Sequence, residues 1–193
     1  MLRAVIRQSH EDLMTYIETI APESATGRLA EVYASIARQH GRVTNIWQIA
    51  SLDADLLQAH LDMNVATMHR PGGLSPLERH SIALTVWSAN EGHYGLHHHT
   101  EAVLQAGGSA DLVEALVAGE EPDTEPVRLR RVVYFARKLT LLPNSMSRRD
   151  VDHLRGADLS DLEILQTVHT AAYFNYATRL GAALGVELEG DAA

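Results

Sequence analysis

The chain has 193 residues, of which 46% are hydrophobic and 21% charged, and its formal net charge is −9. This balance suits one globular domain with its own core and argues against nucleic acid, whose phosphates attract cationic surfaces. The absence of cysteine excludes disulfides, thiol nucleophiles and thiolate metal sites.

No apolar run approaches the roughly 18 residues that a membrane span requires, so no membrane partner is expected. Residues 1–10 lack the uninterrupted apolar core and the cleavage site of a signal peptide. A cytoplasmic location is therefore the default expectation.

Helical periodicity runs through almost the whole chain. The predicted helices cover, in order, 23–40, one or two segments within 45–68, then 76–90, 93–106, 111–117, 127–141, 147–154 and 160–184. No alternating strand pattern of useful length interrupts them. The sequence predicts an all-α fold and a single domain over residues 1–193.

The start of the helix predicted over 76–90 carries three independent signals. Ser75 is a preferred N-cap residue, Pro76 suits the first helical turn, and Glu78 completes a capping box. Ser160 and Glu163 repeat the same pattern before the last helix. Both helix starts are therefore expected at these serines.

The most unusual stretch is NEGHYGLHHH at 90–99, which holds four of the eleven histidines. At 100° per residue, Gly92, Gly95 and His99 fall within about 60° of one another on a helix. His93 and His97 form a second stripe, well over 100° away. One face combines an imidazole with two missing side chains, and the other offers a row of metal ligands.

Motifs spread in order over about residues 20–186 carry a resemblance to a known family. They include PESATG (22–27), HGRVTN (40–45), LSPLER (74–79), VWSAN (86–90) and AYFN (172–175). Together they resemble the carboxymuconolactone decarboxylase and alkylhydroperoxidase AhpD superfamily, and most of all its peroxidase-related branch. The resemblance implies an AhpD-like helical domain with two central antiparallel helices around the active site. It also implies a homo-oligomer: a dimer, trimer or hexamer.

The residues that define the family's peroxidase chemistry are largely replaced here. Those members carry a glutamate, a Cys-x-x-Cys pair and a histidine, which the resemblance aligns with His80, with Gly92 and Gly95, and with His99. Only His99 keeps the family identity. Peroxide reduction needs a thiolate and a resolving thiol, and glycine supplies neither, so a thiol peroxidase is excluded.

Three interpretations of this modified site stay open. In the first, His80 and His99 perform acid–base catalysis without redox chemistry, as a lyase, decarboxylase or isomerase of a small-molecule carbonyl or carboxylate compound. They would line a cavity opened by the glycines, with Gly92, Gly95, Tyr94 and Asn90 forming the pocket.

In the second interpretation the site holds a transition metal, with Zn, Fe, Cu and Ni all suited to imidazole. The ligands would be His80 and His99, or alternatively His93 and His97, which stand four residues apart on one helix. In the third, the protein is a catalytically inactive scaffold or binding protein. The sequence specifies neither the cofactor nor the substrate.

A few other residues receive specific expectations. Trp47 and Trp87 are interpreted as core or subunit-interface aromatics. Asn175 and Arg179, one helical turn apart, are expected to form structural hydrogen bonds near the central helices. His169 lies on the same predicted helix, where it could reach the site.

Overall fold

The computed structural model of the protein describes residues 15–190, and every regular element in that part of the chain is helical. Residues 1–10, on which the signal-peptide expectation rests, lie outside the described residues. Nine α-helices follow one another in the described part: α1 Gly27–His40, α2 Asn45–Gln48, α3 Ala54–Asn64, α4 Pro76–Ala89, α5 His93–Gln105, α6 Ala110–Ala118, α7 Val127–Leu141, α8 Arg148–Arg155 and α9 Asp161–Leu184. The predicted all-α class is confirmed.

Two predicted helical segments are subdivided in the structure. The segment predicted over 23–40 begins as a 3₁₀ turn, Pro22–Ser24, and α1 starts only after Ala25 and Thr26, both of which are extended. The segment predicted within 45–68 divides into α2, α3 and a π-helical turn, Val65–His69. That turn ends at Arg70, which is extended because proline follows it.

The described chain forms two compact units, of which the first comprises residues 15–62 and 181–190. In its described part, Trp47 is buried and its ring lies between His40 and His60, at centroid distances of 5.0 and 4.8 Å. Burial lowers the pKa of His60 to about 4. Trp47 is thus a core aromatic, in agreement with the sequence.

The second unit, residues 63–180, contains α4 to α8 and most of α9. Both predicted capping boxes form: Glu78 accepts a hydrogen bond from the Ser75 amide at 2.7 Å, and Glu163 accepts one from the Ser160 amide at 2.7 Å. Arg128 of α7 lies between them and contacts each carboxylate at 2.6 Å. One guanidinium therefore fixes the amino-terminal ends of α4 and α9 to α7.

One face of α9 is apolar and exposed. Leu162, Leu165 and Tyr176 have exposed fractions of 58%, 54% and 45%, and His169 and Ala172 complete the same stripe. Their spacing of three and four residues is that of a helix-packing face. Within residues 15–190, no helix has the length and apolarity needed to span a membrane.

Candidate functional site

The candidate site lies in the hairpin of α4 and α5. A three-residue turn connects these helices, with Glu91 in the left-handed region at φ 56° and the Gly92 amide donating to the Trp87 carbonyl at 2.9 Å. The helices therefore run antiparallel, so His80 near the start of α4 comes opposite His99 on α5. This agrees with the central helix pair that the family resemblance implies.

His80 and His99 form a direct contact. Their Nδ1 atoms are 3.4 Å apart and both side chains are half-buried. A hydrogen bond at that position requires one Nδ1 to carry a proton and the other a lone pair. In the neutral pair, one ring then has a free Nε2 lone pair while the other carries its proton on Nε2.

Burial keeps both imidazoles neutral at physiological pH. It lowers the pKa of His80 to about 4, with further lowering by the nearby positive charges of His69 and Arg79. It lowers the pKa of His99 to about 3, and protonation of His80 or His98 would lower it further. The pair thus holds a single shared proton between two uncharged rings.

Arg79 sets the electrostatic character of this neighbourhood. Its side chain is buried and donates hydrogen bonds to the carbonyls of Met68, Arg70 and Gly72 at 3.0, 2.7 and 2.8 Å. The guanidinium thereby fixes the loop before α4, including His69. No sequence motif signals this arrangement, because the loop approaches α4 only through the fold.

The two glycines do not open a cavity at this site. A Cβ built on Gly92 or Gly95 would collide with the indole of Trp87, which fills the room where side chains would lie. Trp87 is buried, and its Nε1 has no hydrogen-bond partner among the described residues. The expectation of open space beside the glycines is therefore wrong, because the Trp87 indole occupies that space.

Phe174 contacts the pair, whereas Tyr94 and Asn90, which the sequence assigned to the pocket, contact other residues. The Phe174 ring contacts His99 edge-on at a centroid distance of 4.7 Å, and buried Tyr94 lies 4.5 Å from the His98 ring. Asn90, assigned to the pocket from the sequence, ends α4 and donates to the Asn175 side chain at 3.2 Å. Arg179 donates to the same Asn175 oxygen at 2.7 Å, which confirms the predicted structural role of the α9 pair.

Three other histidines, His93, His97 and His169, do not join the site. His93 and His97 are exposed on the opposite face of α5, and His97 lies 3.9 Å from Glu101. His169 is exposed on α9 and makes no contact with the histidine pair in the described chain. Across residues 15–190, no three His, Asp or Glu side chains converge as a metal-ligand set. His80 and His99 offer two ligands, and structural zinc sites need four.

The fold is shared by solved structures that cover nearly the whole chain. An uncharacterized peroxidase-related protein from Ralstonia eutropha JMP134, described as an alkylhydroperoxidase AhpD core, matches with a TM-score of 0.82 and 17% identity, over 93% of this chain and 94% of its own. A peroxidase-related protein from Silicibacter sp. TM1040 matches with a TM-score of 0.74 and 25% identity, over 91% and 89%.

A third structure is a debrominase, Bmp8, in a cysteine-to-alanine form complexed with 2,3,4-tribromopyrrole. It matches with a TM-score of 0.73 and 17% identity, over 89% of this chain and 91% of its own. No curated protein matches this chain in sequence. The structural matches establish an AhpD-like helical protein.

Residues 54–136 match the model of the carboxymuconolactone decarboxylase family, a segment that contains all of α4 and α5. The cysteine-free chain therefore resembles the carboxymuconolactone decarboxylase family over residues 54–136 and has an AhpD-like fold. The resemblance drawn from the sequence motifs is confirmed.

Proposed function

We propose that this protein is a non-redox enzyme whose His80–His99 pair moves a proton on a small carbonyl or carboxylate compound. The observation that carries this proposal is the 3.4 Å contact between the two Nδ1 atoms in a half-buried setting. One neutral ring accepts a proton at Nε2 and passes its Nδ1 proton to the partner, which donates its own Nε2 proton, so the pair stays neutral with the tautomers of the two rings exchanged. Acid and base functions are thereby coupled without a net charge.

The surroundings favour a substrate that is anionic or becomes so. The charges that act on His80 are the cation Arg79 and the ionisable His69, and both oppose its protonation. An anion bound beside the pair offsets that effect, because an opposite charge within about 4–6 Å stabilises the charged imidazole. Substrate binding would then raise the pKa of the pair toward neutrality and make it a stronger base.

The fold supports a small planar ligand. The debrominase Bmp8 holds 2,3,4-tribromopyrrole on the same architecture. In the present chain, the indole of Trp87 narrows the glycine side of the site and Phe174 borders His99. A compact ring or a short carboxylate fits these boundaries better than an extended chain.

A proton-exchange assay tests the proposal, because deuterium uptake reports proton removal whatever the product is. The protein is incubated in D₂O with a panel of enolisable lactones, 2-oxo acids and 3-oxo acids, and deuterium uptake is measured by mass spectrometry. We expect at least one compound to exchange at a rate that falls about 100-fold or more in His99→Gln and in His80→Gln, since a positioned acid–base group contributes about 10²–10⁴-fold.

His97→Gln is the matched control, since it removes an imidazole from the exposed face of the same helix. It should leave the exchange rate unchanged. Equal exchange in wild-type protein and in both site variants would refute the acid–base proposal. Loss of exchange in the His97 variant together with loss of bound metal would instead support the metal set of His93 and His97.

We also propose that the protein self-associates through the exposed apolar stripe of α9. Leu165→Arg introduces a charge at its centre, and Leu52→Arg makes the same change at an equally exposed leucine in the first unit. Light scattering after size exclusion should show a smaller assembly for Leu165→Arg alone. An unchanged mass for Leu165→Arg would exclude this face as the contact.

A further inference from the structure

A cavity of about 240 Å³ opens where α4, α6 and α7 meet the loop after α6. It shares no lining residue with the His80–His99 site. Pockets for drug-sized ligands have volumes of about 300–1,000 Å³, so this one suits a smaller molecule.

Most of one wall is apolar. Leu116 of α6 and Val133 of α7 are buried beneath the cavity, and Pro122 of the loop is buried beside them. Tyr134 lies at the mouth with 49% of its surface exposed. A ligand with a small hydrophobic body would remove this surface from water.

The polar side of the cavity has one cation without a counter-ion. Arg130 forms an ion pair with Glu121 at 3.3 Å and donates a hydrogen bond to the Asp123 carbonyl at 3.3 Å. Arg137 is half-buried, yet its guanidinium makes no hydrogen bond or ion pair within residues 15–190. The remaining carboxylate, Glu120, is exposed at the rim. A half-buried guanidinium is stabilised most by an acceptor, such as a carboxylate, that takes two parallel hydrogen bonds from it.

The backbone leaves room for Arg137 in this position. Gly119 ends α6 in the left-handed conformation at φ 74°, and the Arg137 guanidinium occupies the place where a Cβ would stand, 2.5 Å from its two terminal nitrogens. Any other residue at position 119 would displace the guanidinium. Glycine at position 119 thus permits both the left-handed end of α6 and the position of the Arg137 guanidinium.

We propose that this cavity binds a small carboxylate with a hydrophobic body, the carboxylate on Arg137 and the body against Leu116, Val133 and Tyr134. The site is separate from the histidine pair, so it would serve as a second ligand site on the same unit. Its recognition rests on bidentate hydrogen bonding to a planar anion.

Benzoate and benzyl alcohol form a matched pair of probes, because they share the ring and differ in the carboxylate. Binding is followed by titration of ¹⁵N-labelled full-length protein, with the amide shifts assigned. We expect saturable benzoate binding with shifts centred on residues 116–137, and at least tenfold weaker binding of benzyl alcohol. Arg137→Gln should weaken benzoate at least tenfold, whereas Arg148→Gln, at an exposed arginine of α8, should not.

Arg137→Lys adds a second test, because lysine keeps the positive charge but lacks the planar guanidinium that donates two parallel hydrogen bonds. Weaker benzoate binding in this variant supports bidentate recognition. Unsaturable titration, equal affinity for the two probes, or unchanged affinity in Arg137→Gln would overturn the proposal. Shifts centred on residues 80 and 99 would overturn it too, by placing the carboxylate at the histidine pair.

Discussion

The two faces of α5 carry similar residues in opposite surroundings. His99 on the inner face contacts His80 and Phe174 and has its pKa lowered by burial, whereas His97, two positions earlier, is exposed beside Glu101. The inner face is made of Gly92, Gly95 and His99 packed against α4. Helical phase, rather than the number of histidines, separates the site from the surface.

The largest expected difference between the two faces of α5 is in how much their histidines make the folding stability depend on acidic pH. In the unfolded chain, His80 and His99 have the ordinary histidine pKa of 6.5. In the folded protein their pKa values are lowered to about 4 and about 3. Stability is therefore fully present above about pH 6.5 and falls as the pH decreases below it. The slope is up to about 1.4 kcal/mol per pH unit for each histidine.

Urea unfolding at pH 7 and pH 5 measures this difference. His99→Gln should lose less stability between the two pH values than wild type, while His97→Gln should behave as wild type. The paired carboxylates Asp150 and Glu163 do not interfere, since their pKa values are lowered to about 2 and their contribution persists through this range. An equal pH dependence in all three proteins would contradict the neutral-pair description.

The next effect concerns the glycines of the inner face. Gly95→Ala places a methyl group against the Trp87 indole. Overpacking costs about 1–3 kcal/mol, which exceeds the gain of up to about 1 kcal/mol that alanine gives a helix over glycine. Thermal or urea unfolding should show a net loss of stability.

Gly156→Ala is the control for this substitution. Gly156 is in the right-handed helical region, and its added Cβ would meet only ordinary contacts, the nearest at 3.4 Å from the Asp152 carbonyl oxygen. It should be neutral or slightly stabilising. If Gly95→Ala were equally well tolerated, the indole would not fill the space as described.

The smallest effect belongs to the outer face. The His97–Glu101 pair has side-chain exposures of 53% and 62%, and exposed ion pairs contribute about 0–1 kcal/mol. Glu101→Gln should change the unfolding free energy by less than about 0.5 kcal/mol at pH 6. A loss above about 1 kcal/mol would show that the outer face is more tightly packed than its exposure indicates.

Local chemistry made the helix starts predictable. Ser75 and Glu78 lie three residues apart, so their reciprocal hydrogen bonds form within one turn and leave a sequence signature. The pairing of His80 with His99 has no such signature, because it spans a turn and two helices. From sequence, only the alignment with the family motifs pairs those two residues.

Other parts of the site depend on tertiary packing alone. Trp87 was correctly predicted as a core aromatic, but periodicity does not tell which glycines its ring will cover. The approach of Arg79 to three carbonyls and of Arg137 to Gly119 depends on loops whose paths no short motif encodes. Side-chain volume and loop closure decide these contacts.

The indole of Trp87 has a consequence for how this site could change over generations. On the present backbone, a cysteine introduced at position 92 or 95 would meet that ring before it met a substrate. Acquiring a dithiol centre would require a shift of the Trp87 indole as well as two new thiols. Variants that carry only some of these changes would be less well packed than the present protein. Selection for stability would therefore oppose each of them.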